Sequence, residues 1–351
     1  MRLPKNIFLL FILLQASLAY GQKQGEVKPL FSTDDILELK ISMNVDAVIT
    51  DIETRDEHEA TLTYKETDGQ EKILNIKVVV RGKTRTNIKV CRFPPLKLNF
   101  KKKEVKKTIF AGQNKLKLVT HCNSRPINEE YILREYYVYK LHQLTTSFSF
   151  NVRLCKISYD DTFGDFTPEA HYGILIEDID DLAERNGMAE YEGSIPNQEV
   201  CERTELDRLM FFQYLIGNLD WSVPKRHNFK LVADSLKPVP VAVPYDFDYT
   251  GMVNTSYAEV PADIDVANVR VRVFRGLCRM EGGYDDALNY FQEIRPEIYA
   301  LYNDSEHLSE KSISSSIKFI DGFYKVLDNP KSFDQKVFKA CRAKHKHLFE
   351  Y

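Results

Sequence analysis

In the run Leu215-Ile-Gly-Asn-Leu-Asp-Trp-Ser-Val-Pro-Lys-Arg-His-Asn-Phe-Lys-Leu231, a helical pattern ends at a Gly-Asn break. An aspartate, Asp220, follows at once, and His227-Asn228 opens the next strand. Upstream, Leu206, Leu209, Met210, Gln213 and Ile216 recur at helical spacing behind Thr204-Glu-Leu-Asp207, a capping pattern. Downstream, His227–Val232 and Val239–Val243 read as strands and lead into the acidic turn Pro244-Tyr-Asp-Phe-Asp-Tyr249. Amphipathic helices are expected near 283–302, 307–327 and 332–349.

Toward the N-terminus the pattern changes to alternation. Ile36–Ile41 and Ala60–Tyr64 read as strands, and Thr67-Asp68-Gly69 turns the second into Ile73–Val80. After the basic turn Arg81-Gly82-Lys83-Thr84-Arg85 come Phe93-Pro94-Pro95, the strand Leu96–Phe100, a lysine-rich loop at Lys101–Lys107 and the strand Leu116–Val119. Pro126 opens a helix to Leu144, with Glu129 and Glu130 at its positive end and Tyr131, Ile132, Tyr136 and Tyr139 along one stripe. Strands Asn151–Tyr159 and His171–Glu177 follow. Strands with one embedded helix, then helices, describe an α+β layout with a β-rich first lobe and an α-rich second lobe.

Arg2 and Lys5 precede the apolar run Ile7–Leu14, with the small residues Ala16, Ala19 and Gly21 behind it. That is the pattern of a signal peptide over residues 1–21, cleaved after Ala19 or Gly21, and it is too short for a spanning helix. A secreted or periplasmic protein with no transmembrane segment after cleavage is therefore expected. No Pro/Gly/Ser-rich linker interrupts 22–351, which reads as a single domain. Apolar content of 43%, with 19 Tyr and 21 Phe, supports a large core, and a net charge of −3 argues against general nucleic-acid binding. The six cysteines form no CxxC pair, so a zinc ribbon or redox motif is not indicated. One to three disulfides fit an oxidising compartment and free, buried cysteines fit the spacing equally well; Cys91 and Cys122, both flanking strands, make an attractive pair, though sequence does not decide the pairing.

Phosphoryl transfer needs a carboxylate to orient the acceptor hydroxyl, a nearby Asn to hold metal and a second Asp to bring the ion to the phosphates. Asp220, Asn228, Asp246 and Asp248 supply these in order, and their oxygen donors suit Mg²⁺ or Mn²⁺. Zinc would want softer ligands than one imidazole and two carboxylates, so His227 reads as a hydrogen-bonding support.

The ordered motifs Arg81-Gly82, Phe93-Pro94-Pro95-Leu96-Lys97, Arg134-Glu135, Gly173-Ile-Leu-Ile-Glu177, Asn218-Leu-Asp220 and Asp246-Phe-Asp248 resemble the CotH (spore-coat) family of atypical protein kinases. They are more distantly similar to HipA-type and secretory-pathway kinases, and the likeness covers roughly residues 75–260. The resemblance implies a two-lobed protein-kinase-like fold, its β-rich lobe at about 30–177 and its helical lobe at about 178–351. It also implies ATP with Mg²⁺ or Mn²⁺ as cofactors. Lys97 would contact the phosphates beneath Arg81, Glu135 would pair with that lysine, and Glu177 would mark the adenine-side hinge. Asp220 would be the base, Asn228 and Asp246 the metal ligands, and Asp248 a further ligand or a support for one. The chain departs from common kinases in the eight-residue step from Asp220 to Asn228, where five is usual, and in lacking a Gly-x-Gly-x-x-Gly loop. The short spacing before Lys97 leaves Lys117 as an alternative lysine, and Glu130 is an alternative helix carboxylate. Without the resemblance, Lys97 reads as a solvent-facing strand residue.

Two functions follow as expectations. One is an exported kinase that phosphorylates a hydroxyl of an unidentified protein substrate or surface partner. The other is a catalytically silent binding protein in cell-surface assembly or adhesion.

Overall fold

The computed structural model describes residues 25–164, 169–195, 197–280 and 282–344. The expected signal peptide, 1–21, lies outside them, as does the end of the helix expected at 332–349. Strands β1 (Leu37–Met43), β2 (His58–Lys65), β3 (Glu71–Val80), β4 (Leu96–Phe100), β5 (Lys115–Val119), β6 (Val152–Asp161) and β7 (Ala170–Ile176) close into a barrel, in the order β1-β2-β3-β4-β5-β7-β6. Neighbours are antiparallel except at the seam, where β1 runs parallel to β6 from Leu37 opposite Cys155 to Met43 opposite Asp161. Ser42 donates to Asp160 across that seam at 2.9 Å. A short helix, α1 (Val45–Thr50), capped by the Asn44 side chain, follows β1.

This closure corrects the expected two-lobed kinase-like fold. The chain forms a seven-stranded mixed barrel, a small separate sheet and a set of C-terminal helices. The physical reason is that β1 uses both of its edges, which leaves the sheet no free side. Alternation tells each strand which face is inward, and Leu39, Ile41, Leu62, Ile76, Leu98, Leu118 and Ile157 do fill the barrel. It carries no information on which distant strand a given edge will meet. Burying side chains such as Leu98 and Leu118, both fully enclosed, contributes about 1.5–3 kcal/mol each.

Helix α2 (Pro126–Thr145) crosses from the barrel to the rest of the molecule. It packs on β6 and β7 at one side and on later helices at the other, so it is buried nearly all round rather than along one stripe. Helix α3 (Ile179–Arg185) follows β7, and β8 (Ala189–Glu190) joins β9 (Phe229–Ala233) and β10 (Val241–Pro244) in a three-stranded sheet. Helix α4 (Arg203–Ile216) is capped by Glu202, two residues before the Thr204 expected from sequence. The helix expected at 283–302 is two, α5 (Asp285–Glu293) and α6 (Arg295–Asn303), because Pro296 starts a new first turn. Helices α7 (Glu310–Leu327), α8 (Pro330–Phe333) and α9 (Lys339–Lys344) complete the described chain. Among the described residues no helix is long and apolar enough to cross a membrane.

Disulfides join Cys91 to Cys122 and Cys278 to Cys341, while Cys155 and Cys201 are free and buried. The first ties the Arg81–Pro95 loop to the strand end beyond β5.

Candidate functional site

Helix α4 ends at Gly217, whose φ of +63° is the left-handed conformation that glycine adopts without strain. A Cβ there would also stand 2.8 Å from Phe319. Arg272 donates to the end carbonyls of Tyr214 and Leu215, at 3.0 and 3.1 Å, and so closes the helix. The next residue, Asn218, accepts the Asp220 N–H at 2.9 Å and bends the chain so that Asp220 projects. The eight-residue step then resolves itself. Ser222 and His227 exchange backbone hydrogen bonds of 3.0 and 3.2 Å, so the intervening residues loop out. Asn228 returns to Asp220, where its Nδ2 donates to the backbone carbonyl at 2.9 Å and to Oδ2 at 3.1 Å. His227 Nε2 lies 2.7 Å from Asp220 Oδ1. Arg226 and Asn228 both take positive φ in this turn, a conformation for which Asn has a particular tolerance.

The acidic turn packs against this loop. The Asn228 carbonyl accepts from Tyr245 N–H at 3.1 Å, and the Gly217 carbonyl from Gly251 N–H at 3.0 Å. Phe247, fully buried among Tyr139, Phe212 and His142, is the anchor that fixes Asp246 and Asp248 on either side. The Asp246 N–H donates to Tyr139 Oη at 3.0 Å, and its carboxylate makes no hydrogen bond or ion pair among the described residues. Asp248 lies behind it, 5% exposed, and accepts from Tyr257 Oη at 3.0 Å.

Lys117, the alternative lysine, is the one that reaches the cleft. Its Nζ stands over the rings of Tyr245 and Phe150 at 5.1 and 5.8 Å. Burial pushes its pKa down to about 8, with Arg81 adding to the effect and Asp178 and Asp246 opposing it. Lys97 is its cross-strand neighbour on β4, on the same face one strand away. There it helps hold Glu57 below its ordinary value, after the larger contribution of the Lys77 hydrogen bond.

Glu135 is 1% exposed, and no residue donates to its Oε1. It pairs with no lysine. Burial, then Asp248 and Asp246, push its pKa far up, against the opposing charge of Arg85 and the Phe247 N–H. Arg85 is the residue that sequence reasoning missed. It sits in the basic turn after β3, where a short 3₁₀ turn (Thr84–Thr86) swings it inward to donate to the Thr120 carbonyl. Arg81, four residues earlier, stays half-buried at the rim.

Glu177 is enclosed but spent. Its carboxylate accepts from Arg185 Nε at 3.1 Å and from Asn151 N–H at 2.9 Å, which ties the end of β7 to α3. Glu130 accepts from Ser309 and Ser312 and so anchors α7 instead of facing the cleft.

The structure thus brings together Asp220, Asn228, Asp246, Asp248, Glu135, Arg81 and Lys117. It leaves Lys97 aside and gives Glu177 a structural partner. Among the described residues no group of three or more His, Cys, Asp or Glu forms a ready metal cage. The donors present still suit a hard ion. Asn228 uses its Nδ2 on Asp220, and among the described residues neither its amide oxygen nor the Asp246 carboxylate takes a hydrogen-bond partner. Magnesium is usually held by one or two carboxylates with water and substrate phosphates, so this donor set fits it.

The buried acid gives a pH test on metal-free protein. Asp248 is pushed up from 3.8 to about 7, by burial first and Asp246 second. Its folded pKa is raised, so the stability it contributes is complete below the unfolded value and is lost as pH climbs through the folded one. Asp248→Asn does not titrate. Its stability relative to wild type is expected to rise steadily from about pH 4 to about pH 7 in urea unfolding. A difference that is flat across that window would contradict a buried, titrating carboxyl.

Compared with known proteins, the sequence matches no family model and no curated protein.

Proposed function

We propose that this protein transfers a phosphoryl group from a magnesium or manganese nucleotide to a hydroxyl of a protein, as an atypical kinase of the CotH type acting outside the cytoplasm. The observation that carries this reading is the arrangement of Asn228, which donates to Asp220 while its amide oxygen and the Asp246 carboxylate remain open. Asp246 and Asn228 would hold the ion, and when bound it neutralises charge on the phosphate oxygens. Asp220, oriented by Asn228 and His227, is placed to accept the proton of the acceptor hydroxyl. Lys117 is poorly solvated, and a polyphosphate beside its ammonium group would offset the burial that lowers its pKa. Arg81 extends the same positive rim. Two disulfides accord with export to an oxidising compartment.

One observation favours the second reading, a catalytically silent protein that uses this cleft for binding in surface assembly or adhesion. Both carboxylate oxygens of Asp220 already have partners, His227 on Oδ1 and Asn228 on Oδ2. A thermal-shift titration combined with a nucleotide-turnover assay separates the two. The kinase reading expects stabilisation of about 2.7 kcal/mol at a hundredfold excess of metal-nucleotide over its dissociation constant, with labelled phosphate passing to protein. Stabilisation without transfer would favour the silent protein, and no stabilisation with any nucleotide or metal would end the kinase reading and leave the silent binding protein.

A further inference from the structure

A cavity of about 220 Å³ opens beside the Asp220 loop, lined in part by Trp221, Pro224, Asn197, Leu277 and Arg275. Arg275 belongs to a segment with four arginines, and the other three are turned to acceptors away from this cavity. Arg270 donates to the Gly251 carbonyl at 3.2 Å, and Arg272 to the end of α4. Arg279 grips Asp207 with two bonds of 2.7 and 2.9 Å. Arg275 differs. Its Nη1 donates to the carbonyl of Leu219, the residue before Asp220, which fixes the guanidinium beside the loop. Its one carboxylate among the described residues, Asp263, is 3.9 Å away on a side chain that is 75% exposed. The guanidinium also lies 5.9 Å from the Trp221 ring. The result is a half-buried cation whose Nη1 is taken by the Leu219 carbonyl and whose Nη2 has only the distant Asp263, and burial disfavours its charge.

We infer that this cavity takes an acidic side chain, Asp or Glu, that lies next to the hydroxyl-bearing residue of the protein substrate. The inference rests on the transferase reading for the word substrate, and on the cavity alone for the acid. A carboxylate is the planar acceptor that a guanidinium matches with paired, charge-assisted bonds. Trp221 and Leu277 give its methylenes an apolar wall. Asp220 carries negative charge nearby and would repel an acidic segment if no cation stood between them; Arg275 supplies that cation. Asp263 is the chain's own stand-in, loosely held and free to give way.

Trp221 is the only tryptophan in the chain, so its fluorescence reports on this cavity directly. The probe is a serine decapeptide with glutamates flanking the serine, compared with the same peptide carrying glutamines. The glutamate peptide is expected to shift Trp221 emission with an affinity about tenfold or more above that of the glutamine peptide, the worth of one charged hydrogen-bonded contact. Arg275→Gln is expected to erase that preference. Asp263→Asn alters only an exposed side chain, so it keeps the fold, and it is expected to tighten glutamate-peptide binding. Equal titration of the two peptides by wild type would overturn the inference. So would a preference that survives Arg275→Gln together with no gain from Asp263→Asn. The readout needs neither metal nor nucleotide, so selection of the acidic peptide by a protein that binds no nucleotide would uphold the acidic site and reject the transferase reading.

Discussion

If the protein is the transferase proposed above, Asp220→Asn is expected to lower phosphoryl transfer by about 10²–10⁴-fold while leaving metal-nucleotide binding in place, because it removes the proposed base and little else. The substitution keeps the shape of the loop. The bend that presents residue 220 depends on its backbone N–H, which donates to Asn218, and not on its side chain. The closure of the turn depends on the Ser222–His227 backbone pair. An amide at 220 still meets Asn228 and His227, yet it cannot take up a proton. Transfer of labelled phosphate, followed alongside nucleotide binding, separates the two effects. A variant that transfers at nearly the wild-type rate would show that the base lies elsewhere. A variant that loses nucleotide binding as well would make Asp220 part of the binding framework.

The second large effect is on stability. Arg85 is 7% exposed and is the cation nearest to a concentration of buried acid: Glu135 and Asp248, with Asp246 beside them. Arg85→Met keeps the length of the side chain and deletes its charge. It should cost about 3–5 kcal/mol, the usual consequence of leaving buried charge without its partner. Glu135 and Asp248 can escape part of that cost by holding protons, which is easier in acid. The loss should therefore be smaller near pH 5 than near pH 8 in urea unfolding, and a uniform loss below about 1 kcal/mol would contradict the electrostatic role assigned to Arg85.

These residues also show where the sequence was legible. The strand Leu96–Phe100 is readable to the residue because alternation of apolar and polar side chains is a local signal. The Gly217 stop, the Asn218 turn and the Asp246-Phe247-Asp248 motif are readable for a similar reason: each is a short run whose chemistry determines its own backbone. Closure of the barrel was not readable, since β1 meets β6 only after most of the first half of the chain has been laid down. Lys97 and Lys117 look alike in sequence, both alternating strand lysines on one face. What separates them is Tyr245 and Phe150, which arrive from remote segments to cover only the second. Glu177 ends its strand as expected, but nothing local shows that Arg185 will turn back to claim it. Arg85 was hidden among three basic residues in one turn, and only the 3₁₀ geometry of Thr84–Thr86 decides which of them faces in.

The most direct test of the central claim is a calorimetric titration of manganese-nucleotide into wild type and into Asp246→Ala. Saturable binding by wild type that requires the metal, and its loss in Asp246→Ala, is the predicted result. Equal binding by the two proteins, or binding by wild type without metal, would contradict a cleft in which Asp246 brings the ion to the phosphates.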